Sequence, residues 1–304
     1  MQRIRLPGRC FEQDLYLTGM GEKIKIIECP RDAMQGLEKI IPTEIKSAYF
    51  NRLLSVGFHT LDFGSFVSHK LVPQMKDTTE VLDQIQKRNT NTRLLAIVAN
   101  TRGAEMAIQF DKVYYLGFPL SLSATFQMRN TNKTIEEAMD TVKEIHRIGK
   151  EKGRVLVVYL SMGFGNPYGE DYSIKAVTSA VEVLSASGIS VIALSDTIGT
   201  ATPKLIHDVV AEQVSHFPDI EWGVHLHSRS GEEEDKILAA LEAGCRRFDG
   251  AILGFGGCPM ANDDLVGNIP TEQLVRIVKS KGFETGIDEA ALNEALKMAQ
   301  QIFH

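Results

Sequence analysis

The amino-acid sequence predicts an α/β protein, a single (β/α)₈ TIM barrel with its active site at the C-terminal mouth. Three observations favour this fold class. Eight short apolar segments alternate with amphipathic ones, and the 304 residues suit one large barrel. The first predicted strand also lacks the G-x-G-x-x-G turn that is typical of doubly wound dinucleotide-binding sheets. We expect one domain over residues 1–304, with an N-terminal extension at 1–23 and C-terminal helices at 271–304.

The predicted elements follow one another without a linker. The strands are expected at residues 24–29, 60–64, 94–99, 113–118, 155–160, 191–194, 221–226 and 247–253. Amphipathic helices are expected at 43–56, 135–150, 174–187 and 203–217, with Thr43, Asp77 and Thr134 as N-caps, and two more around residues 282–286. Each helix that leads into an apolar strand predicts a βαβ unit, and its right-handed crossover gives a parallel sheet.

Composition limits the class of protein and the class of partner. Hydrophobic residues make up 43% and charged residues 24%, as in soluble globular proteins. The formal net charge of −6 argues against nucleic acid or anionic lipid as a partner. The four cysteines, at positions 10, 29, 245 and 258, are not paired at C-x-x-C spacing, which argues against a zinc ribbon and indicates reduced thiols. No signal peptide and no apolar run of roughly 20 residues is visible, so we expect a cytoplasmic protein without a membrane span.

Polar residues at the ends of the predicted strands are the candidates for function. In a parallel barrel these ends meet at the mouth, where the active site lies. The candidates are Arg31 and Asp32, Asp62, Tyr159 and Ser161, Asp196 and Thr197, His225 and His227, and the glycine-rich segment 254–258.

The sequence His225-Leu226-His227 is the sharpest of these features. Side chains alternate along a strand, so both imidazoles point to the same side of it. With a carboxylate from Asp32 and a carbonyl oxygen from Asn268, they suit a divalent ion such as Mn²⁺, Mg²⁺, Zn²⁺ or Fe²⁺. The alternative is a pair of hydrogen-bonded histidines at a strand end.

The other candidates also have structural alternatives. Arg31 and Asp32 form either a functional pair or a surface ion pair that precedes a helix. Cys258 lies in a flexible loop that closes over a ligand, or it is merely a small residue in a tight turn. Asp196 either reaches the mouth or caps the next helix, and Tyr159 either lines the site or only packs.

Five segments carry a family resemblance. They read K-I-I-E-C-P-R-D-A-M-Q at 25–35, S-F-V-S-H-K-L-V-P-Q-M at 65–75, S-D-T-I-G-T-A-T-P at 195–203, G-F-G-G-C-P-M-A at 254–261 and G-N-I-P-T-E-Q-L-V at 267–275. In order and spacing they resemble the 3-hydroxy-3-methylglutaryl-CoA lyase family, a branch of the DRE-TIM metallolyases with a pyruvate carboxyltransferase-like barrel. The second and fourth segments are typical of the lyase branch, whereas condensing and aldol-cleaving relatives share mainly the R-D, H-x-H and Asn parts.

The resemblance implies a metal-dependent carbon–carbon lyase. It cleaves 3-hydroxy-3-methylglutaryl-CoA, or a similar hydroxyacyl-CoA, to acetyl-CoA and a 3-oxo acid by a retro-Claisen reaction that uses Mg²⁺ or Mn²⁺. The implied metal ligands are Asp32, His225, His227 and Asn268, and the implied catalytic groups are Arg31, Cys258, His225, Asp62 and Asp196. Arg31, Tyr159, Thr197 and Arg229 are expected to contact the substrate. The expected partners are an acyl-CoA and further copies of the chain, as a homodimer or higher homo-oligomer.

Several positions depart from the family pattern. The family's R-D-G-L-Q-N-E has become Arg31-Asp32-Ala33-Met34-Gln35-Gly36-Leu37, and the acid after the second strand is the shorter Asp62. The family's H-x-H-D-T-Y-G has become His225-Leu226-His227-Ser228-Arg229-Ser230-Gly231, in which Arg229 either meets a second substrate carboxylate or points to solvent. Two alternatives therefore stay open: a related aldolase or acyltransferase with another hydroxy-acid substrate, and a metal-binding barrel without turnover.

Overall fold

A computed structural model of the chain describes residues 21–87, 90–257 and 266–303. Eight parallel strands in this part of the chain close into a barrel: β1 (Lys25–Glu28), β2 (Thr60–Ser65), β3 (Arg93–Ile97), β4 (Val113–Ser121), β5 (Val155–Ser161), β6 (Val191–Asp196), β7 (Glu221–Ser228) and β8 (Arg247–Gly250). Neighbours follow the order β6-β5-β4-β3-β2-β1-β8-β7, and a β6–β7 pairing completes the circle. The predicted fold class is confirmed.

Helices alternate with the strands and surround them. They are α1 (Pro30–Gln35), α2 (Thr43–Leu54), α3 (Thr78–Gln84), α4 (Thr101–Ala107), α5 (Ala124–Thr131), α6 (Ile135–Glu151), α7 (Ile174–Ala186), α8 (Pro203–His216), α9 (Glu233–Glu242), α10 (Thr271–Ser280) and α11 (Glu289–Phe303). None of the helices in the described ranges is long and apolar enough to cross a membrane. The expected N-terminal extension at 1–23 lies almost wholly outside the described residues.

One of the three predicted N-caps is confirmed. Thr134 begins α6 with a capping box, in which its hydroxyl accepts from the Glu137 N–H and Glu137 accepts from the Thr134 N–H. The prediction for Thr43 is wrong, because Pro42 is the N-cap of α2. Asp77 is at the predicted N-cap position of α3, but its side chain forms no cap hydrogen bond. The carboxylate of Asp77 instead accepts from Thr43 Oγ1 and Lys46 Nζ, both at 2.7 Å, and so joins α2 to α3.

Two features at the end of β8 were not predicted from the sequence. β8 ends at Gly250 rather than at 253, and a 3₁₀ turn follows in which Leu253 has a φ of 64°. A ninth short strand, β9 (Gly267–Asn268), pairs antiparallel with β7, so that Asn268 lies directly opposite His227. This pairing places Asn268 beside His227, so two predicted metal ligands that are far apart in the sequence are neighbours in the structure.

The hydrophobic core has two parts. The larger lies between the strands and the surrounding helices. The smaller lies inside the barrel and consists of Leu95, Tyr115, Val157, Tyr159, Val191 and Ala193. Because this inner cluster fills the barrel, the polar groups at the carboxyl ends of the strands form a cavity at the mouth and not a channel.

Candidate active site

Three ligating groups converge at the barrel mouth. Asp32 lies on α1, directly after β1, while His225 and His227 project from the same side of β7. One ligand atom from each of the three residues lies within 4.8 Å of the other two. This arrangement agrees with the alternation predicted from the sequence. It places two imidazoles and one carboxylate where a divalent ion binds well.

One ring nitrogen of His227 has no hydrogen-bond partner in residues 21–87, 90–257 and 266–303. Its Nδ1 donates to the Thr197 carbonyl oxygen at 3.2 Å, which leaves Nε2 as the acceptor of the neutral ring. Nε2 is buried and forms no hydrogen bond within the described part of the chain. Burial, together with the charge of His225, lowers the pKa of His227 to about 4. A buried, neutral imidazole with an unused lone pair fits a metal ligand, because an unpartnered buried polar atom is otherwise costly.

His225 is held by an acid that the sequence analysis missed. Its Nδ1 lies 3.2 Å from Asp249 Oδ2, and the thiol of Cys29 donates to the same oxygen at 3.8 Å. Burial lowers the pKa of His225, but the hydrogen bond and charge of Asp249 outweigh burial and raise it. Asp249 and Arg247 lie two residues apart on the barrel side of β8. A charged pair with strand spacing was the signal in the sequence that indicated an inward-facing acid.

Asp32 remains charged at neutral pH although it is buried. Burial by itself raises its pKa, but Arg31, His225 and His227 outweigh burial and lower the pKa of Asp32 to about 2. One of its oxygens, Oδ1, accepts from Arg31 Nη1 at 3.1 Å and from Gln35 Nε2 at 2.9 Å. The carboxylate is therefore oriented by α1 itself, and Gln35 is a second contributor that the sequence analysis did not single out.

Arg31 is clamped by Asp62 at the floor of the cavity. The Arg31 Nε lies 3.3 Å from Asp62 Oδ1, and Nη2 lies 2.5 Å from Asp62 Oδ2, so the pair is bidentate. Burial raises the pKa of Asp62 to about 6, and the nearby Arg31 charge limits the rise. The shorter acid at position 62 thus still reaches the arginine, and both residues line the cavity.

Asn268 closes the site from the β9 side. Its amide nitrogen donates to Asp32 Oδ2 at 2.7 Å and to the Phe255 carbonyl oxygen at 2.9 Å. Gly256, at a φ of +102°, lies so close that a Cβ there would be 2.5 Å from the Asn268 amide nitrogen and 3.0 Å from Asp32 Oδ2. Only glycine fits at this position, because the loop crosses directly over the two side chains.

A cavity of about 240 Å³ joins these groups. Of the predicted residues, Arg31, Asp32, Asp62, Tyr159, Thr197, His225 and His227 line it. The opposite wall is mostly apolar and is formed by Val67, Leu71, Val72, Ile97, Ala99, Pro119 and Phe126. A small molecule with a polar, charged end and a short apolar part therefore suits the cavity.

Two predicted site residues, Asp196 and Arg229, do not line this cavity, and Asn268 contacts Asp32 without being one of the residues that line it. Asp196 is turned to the outside of the barrel, where its carboxylate accepts from Lys236 and from the backbone N–H groups of Thr200 and Ala201. This corrects the prediction that Asp196 faces the mouth: its neighbours Ser195 and Thr197 face the cavity, so alternation turns Asp196 away. Arg229 is exposed and does not line the cavity. Cys258 lies outside the described residues.

Comparison with known proteins identifies the family. The HMGL-like family model matches residues 23–299. The chain is 32% identical over 280 residues to the cytoplasmic 3-hydroxy-3-methylglutaryl-CoA lyase of Rattus norvegicus, which covers 92% of this chain and 81% of the relative.

Solved structures give the same result. The Bacillus subtilis HMG-CoA lyase superposes with a TM-score of 0.87 at 29% identity, over 93% of this chain and 95% of its own. An HMG-CoA lyase from Acinetobacter baumannii, solved with coenzyme A and 3-methylmalate, superposes with a TM-score of 0.85 at 32% identity, over 92% of this chain and 91% of its own. The chain is therefore a lyase that belongs to the HMGL-like family.

Proposed function

We propose that the chain cleaves 3-hydroxy-3-methylglutaryl-CoA, or a similar hydroxyacyl-CoA, to acetyl-CoA and a 3-oxo acid in a reaction that depends on a divalent metal. The observation that carries this proposal is the convergence of Asp32, His225 and His227 beside the clamped cation of Arg31. A metal-binding triad and a fixed guanidinium in one cavity suit a reaction in which negative charge moves from a hydroxyl to a thioester oxygen.

The metal would be held by Asp32, His225, His227 and Asn268, and it would be Mg²⁺ or Mn²⁺. The donor set supports this, since carboxylate and amide oxygens suit these hard ions and imidazole is compatible with Mn²⁺. The Nε2 of His227, which is buried and has no hydrogen-bond partner among the described residues, supports this assignment. When bound, such an ion lowers the pKa of a substrate hydroxyl and fixes the substrate's orientation.

The chain's own residues account for the remaining requirements. In the cleavage, the substrate hydroxyl loses its proton, the adjacent C–C bond breaks, and the bonding electrons form a thioester enolate that takes a proton to become acetyl-CoA. Arg31 faces the cavity as a permanent, planar cation and would stabilise the enolate oxygen. Asp62 and Gln35 hold the guanidinium in place, which avoids reorganisation during the reaction. The proton carrier would be Cys258.

The substrate class is supported by the relatives. The Acinetobacter baumannii lyase binds coenzyme A in its solved structure, and the cavity of this chain offers both a cationic floor and an apolar wall. We also propose a cytoplasmic location, because the four scattered cysteines favour a reducing compartment.

Cleavage of 3-hydroxy-3-methylglutaryl-CoA tests the proposal directly. Purified protein is assayed with Mg²⁺ or Mn²⁺, and a chelator-treated sample is the control. We expect metal-dependent release of acetyl-CoA. The variant His227→Ala is expected to keep its circular dichroism spectrum and to lose metal binding.

Two other outcomes separate the alternatives. Metal binding without cleavage of this thioester, but with turnover of another hydroxy acid, would show a related aldolase or acyltransferase. Metal binding without turnover of any hydroxyacyl-CoA would show a barrel that has kept its metal site and lost catalysis. Wild-type affinity in the His227→Ala variant would show that the metal site is wrong.

A further inference from the structure

A buried lysine lies directly behind the metal-ligand candidates. Lys236 is on α9, outside every segment that carries the family resemblance, and only 3% of the residue is exposed. Its ammonium group lies 2.9 Å from the Gly199 carbonyl oxygen, 2.9 Å from the His227 carbonyl oxygen and 3.3 Å from Asp196 Oδ2. An ammonium group has three hydrogens, so each of them has one acceptor here.

These acceptors belong to two different elements of the mouth. Asp196 and Gly199 lie at the end of β6 and in the loop after it, while His227 is near the end of β7. Asp196 in turn accepts from two backbone N–H groups of the same loop, at 3.1 Å each. Lys236 therefore ties the loop after β6 to the end of β7 through hydrogen bonds that are shielded from solvent.

His227 is held by this assembly from two sides. Its carbonyl oxygen accepts from Lys236, and its ring Nδ1 donates to the carbonyl oxygen of Thr197, which lies in the loop that Lys236 anchors. The backbone and the ring of His227 are thus fixed relative to the same loop. The remaining ring nitrogen, Nε2, is the buried atom that has no partner among the described residues.

We propose that Lys236 is a positioning residue for the metal site, which it serves by fixing His227 so that Nε2 faces Asp32 and His225. The inference rests on the proposed metal-dependent function. A buried lysine is suited to positioning because its charge is tolerated only where several acceptors surround the ammonium group. The three acceptors of Lys236 are thereby held at fixed positions relative to one another. A ligand that is displaced by a fraction of an ångström binds metal less tightly, so groups that orient ligands affect affinity strongly.

The first test is the affinity of the full chain for Mn²⁺, measured by electron paramagnetic resonance of free Mn²⁺. We expect Lys236→Met to weaken binding by about 10–100-fold, as is typical when a group that orients a ligand is removed. The matched control is Lys204→Met, which removes a lysine whose side chain is 84% exposed and paired with Asp208. The control should bind Mn²⁺ as the wild type does.

A second variant separates positioning from folding. Lys236→Met leaves the buried Asp196 carboxylate without its cation, which by itself destabilises the fold. In the double variant Asp196→Asn with Lys236→Met this charge is gone, so we expect a wild-type circular dichroism spectrum and still a 10–100-fold loss of Mn²⁺ affinity. A purely structural role would lower the melting temperature and leave the affinity of the folded double variant unchanged.

The outcomes of this experiment are distinct. If the wild type binds Mn²⁺ and the folded double variant binds it equally well, the positioning role of Lys236 is overturned while the proposed function stands. If the wild type itself does not bind Mn²⁺, the proposed metal dependence fails. Weaker binding in the double variant, with unchanged binding in Lys204→Met, supports the inference.

Discussion

Asp249 is a buried acid whose role depends on one hydrogen bond to a candidate ligand. Its side chain is 1% exposed, and its Oδ2 lies 3.2 Å from Nδ1 of His225. A carboxylate that accepts from Nδ1 keeps the proton on that nitrogen and leaves Nε2 free for a metal. The same oxygen also accepts from the thiol of Cys29, which follows β1 directly, so this carboxylate is itself held in place.

Asp249→Asn tests this orientation. We expect Mn²⁺ affinity to fall by about 10–100-fold, because an amide can turn its nitrogen toward His225 and no longer enforces one tautomer. The dissociation constant is measured by titration. Asp235→Asn, an exposed residue on α9, serves as the control. Equal affinity in the two variants would show that Asp249 has no orienting role.

Glu28 is a fully buried acid outside the cavity. Its Oε1 accepts from the Ile252 N–H at 3.0 Å and its Oε2 contacts Thr271 Oγ1 at 2.6 Å, so it joins β1 to the turn after β8 and to α10. Burial raises the pKa of Glu28 from 4.5 to about 8, although both hydrogen bonds oppose the rise.

The raised pKa of Glu28 predicts a pH dependence of stability. The folded state binds the proton more tightly than the unfolded state, so this contribution is complete below pH 4.5 and is lost as the pH rises to about 8. Each pH unit in this window lowers the unfolding free energy by up to about 1.4 kcal/mol. Glu28→Gln can still accept from the Ile252 N–H and can donate to the Thr271 hydroxyl, so it should flatten this slope in urea denaturation between pH 5 and 8. An unchanged slope would contradict the assignment.

At the scale of elements, α6 begins where side chains satisfy its first N–H groups. In its capping box, the Glu137 N–H donates to Thr134 Oγ1 at 3.2 Å, and the Thr134 N–H donates to Glu137 Oε2 at 2.8 Å. The inner face of α6 is apolar. By contrast, Thr43 is used for a contact with Asp77 between two helices. The same residue type therefore serves as a cap only where no tertiary partner competes for it.

Thr134→Ala should lower the unfolding free energy by about 1 kcal/mol. The Glu137 N–H loses its acceptor, and the bond from the Thr134 N–H to the Glu137 carboxylate loses its reciprocal partner. Chemical denaturation provides the measurement. Ser187→Ala is the matched control, since its hydroxyl only donates to the Val183 carbonyl oxygen at the end of α7. A loss as large in the control would indicate that hydroxyl removal in general, and not capping, causes the effect.

At the scale of the whole molecule, the interior of the closed barrel holds the side chain of Arg247. Tyr159, Ala193, Gly223 and Arg247 are neighbours in one row across β5, β6, β7 and β8. The small residues in this row leave space for Arg247, whose Cδ would lie 3.0 Å from a Cβ at position 223. Arg247 is fully buried. Its Nη1 lies 3.3 Å from Glu221 Oε1 and its guanidinium lies 5.4 Å from the centre of the Tyr115 ring, whereas Nε and Nη2 have no hydrogen-bond partner among the described residues.

Arg247→Met should therefore not destabilise the barrel. The apolar side chain removes a desolvated charge, and Glu221 keeps Lys25 as its partner, so we expect the melting temperature to stay the same or rise. Glu221→Gln should instead lower the unfolding free energy by about 1 kcal/mol, a modest value because the acid is partly exposed. A large loss of stability in Arg247→Met would show that Arg247 supports the fold.

The sequence by itself determined the architecture and the core of the candidate site. Strand and helix periodicity are local properties, so the order of the eight strands and the shared side of His225 and His227 followed from spacing alone. The rule that carboxyl ends of parallel strands meet at one mouth was enough to bring Arg31, Asp32 and Asp62 together with them. The family resemblance then predicted the lyase.

Only the tertiary structure decided which groups hold those residues in place. The contacts of Asp249, Lys236 and Gly256 depend on the angle and register of neighbouring elements. Local spacing can place Asp249 on the inner side of β8 and Gly256 in a glycine-rich loop, but it does not say which side chains they meet. Asp196 was predicted at the mouth but lies on the outer side of β6. Its carboxylate faces α9 because the pleat of β6 turns it outward, where Lys236 is a buried counter-charge. Periodicity fixes which side of an element a residue occupies, whereas its partner is fixed only when distant segments pack and buried polar groups must find hydrogen bonds.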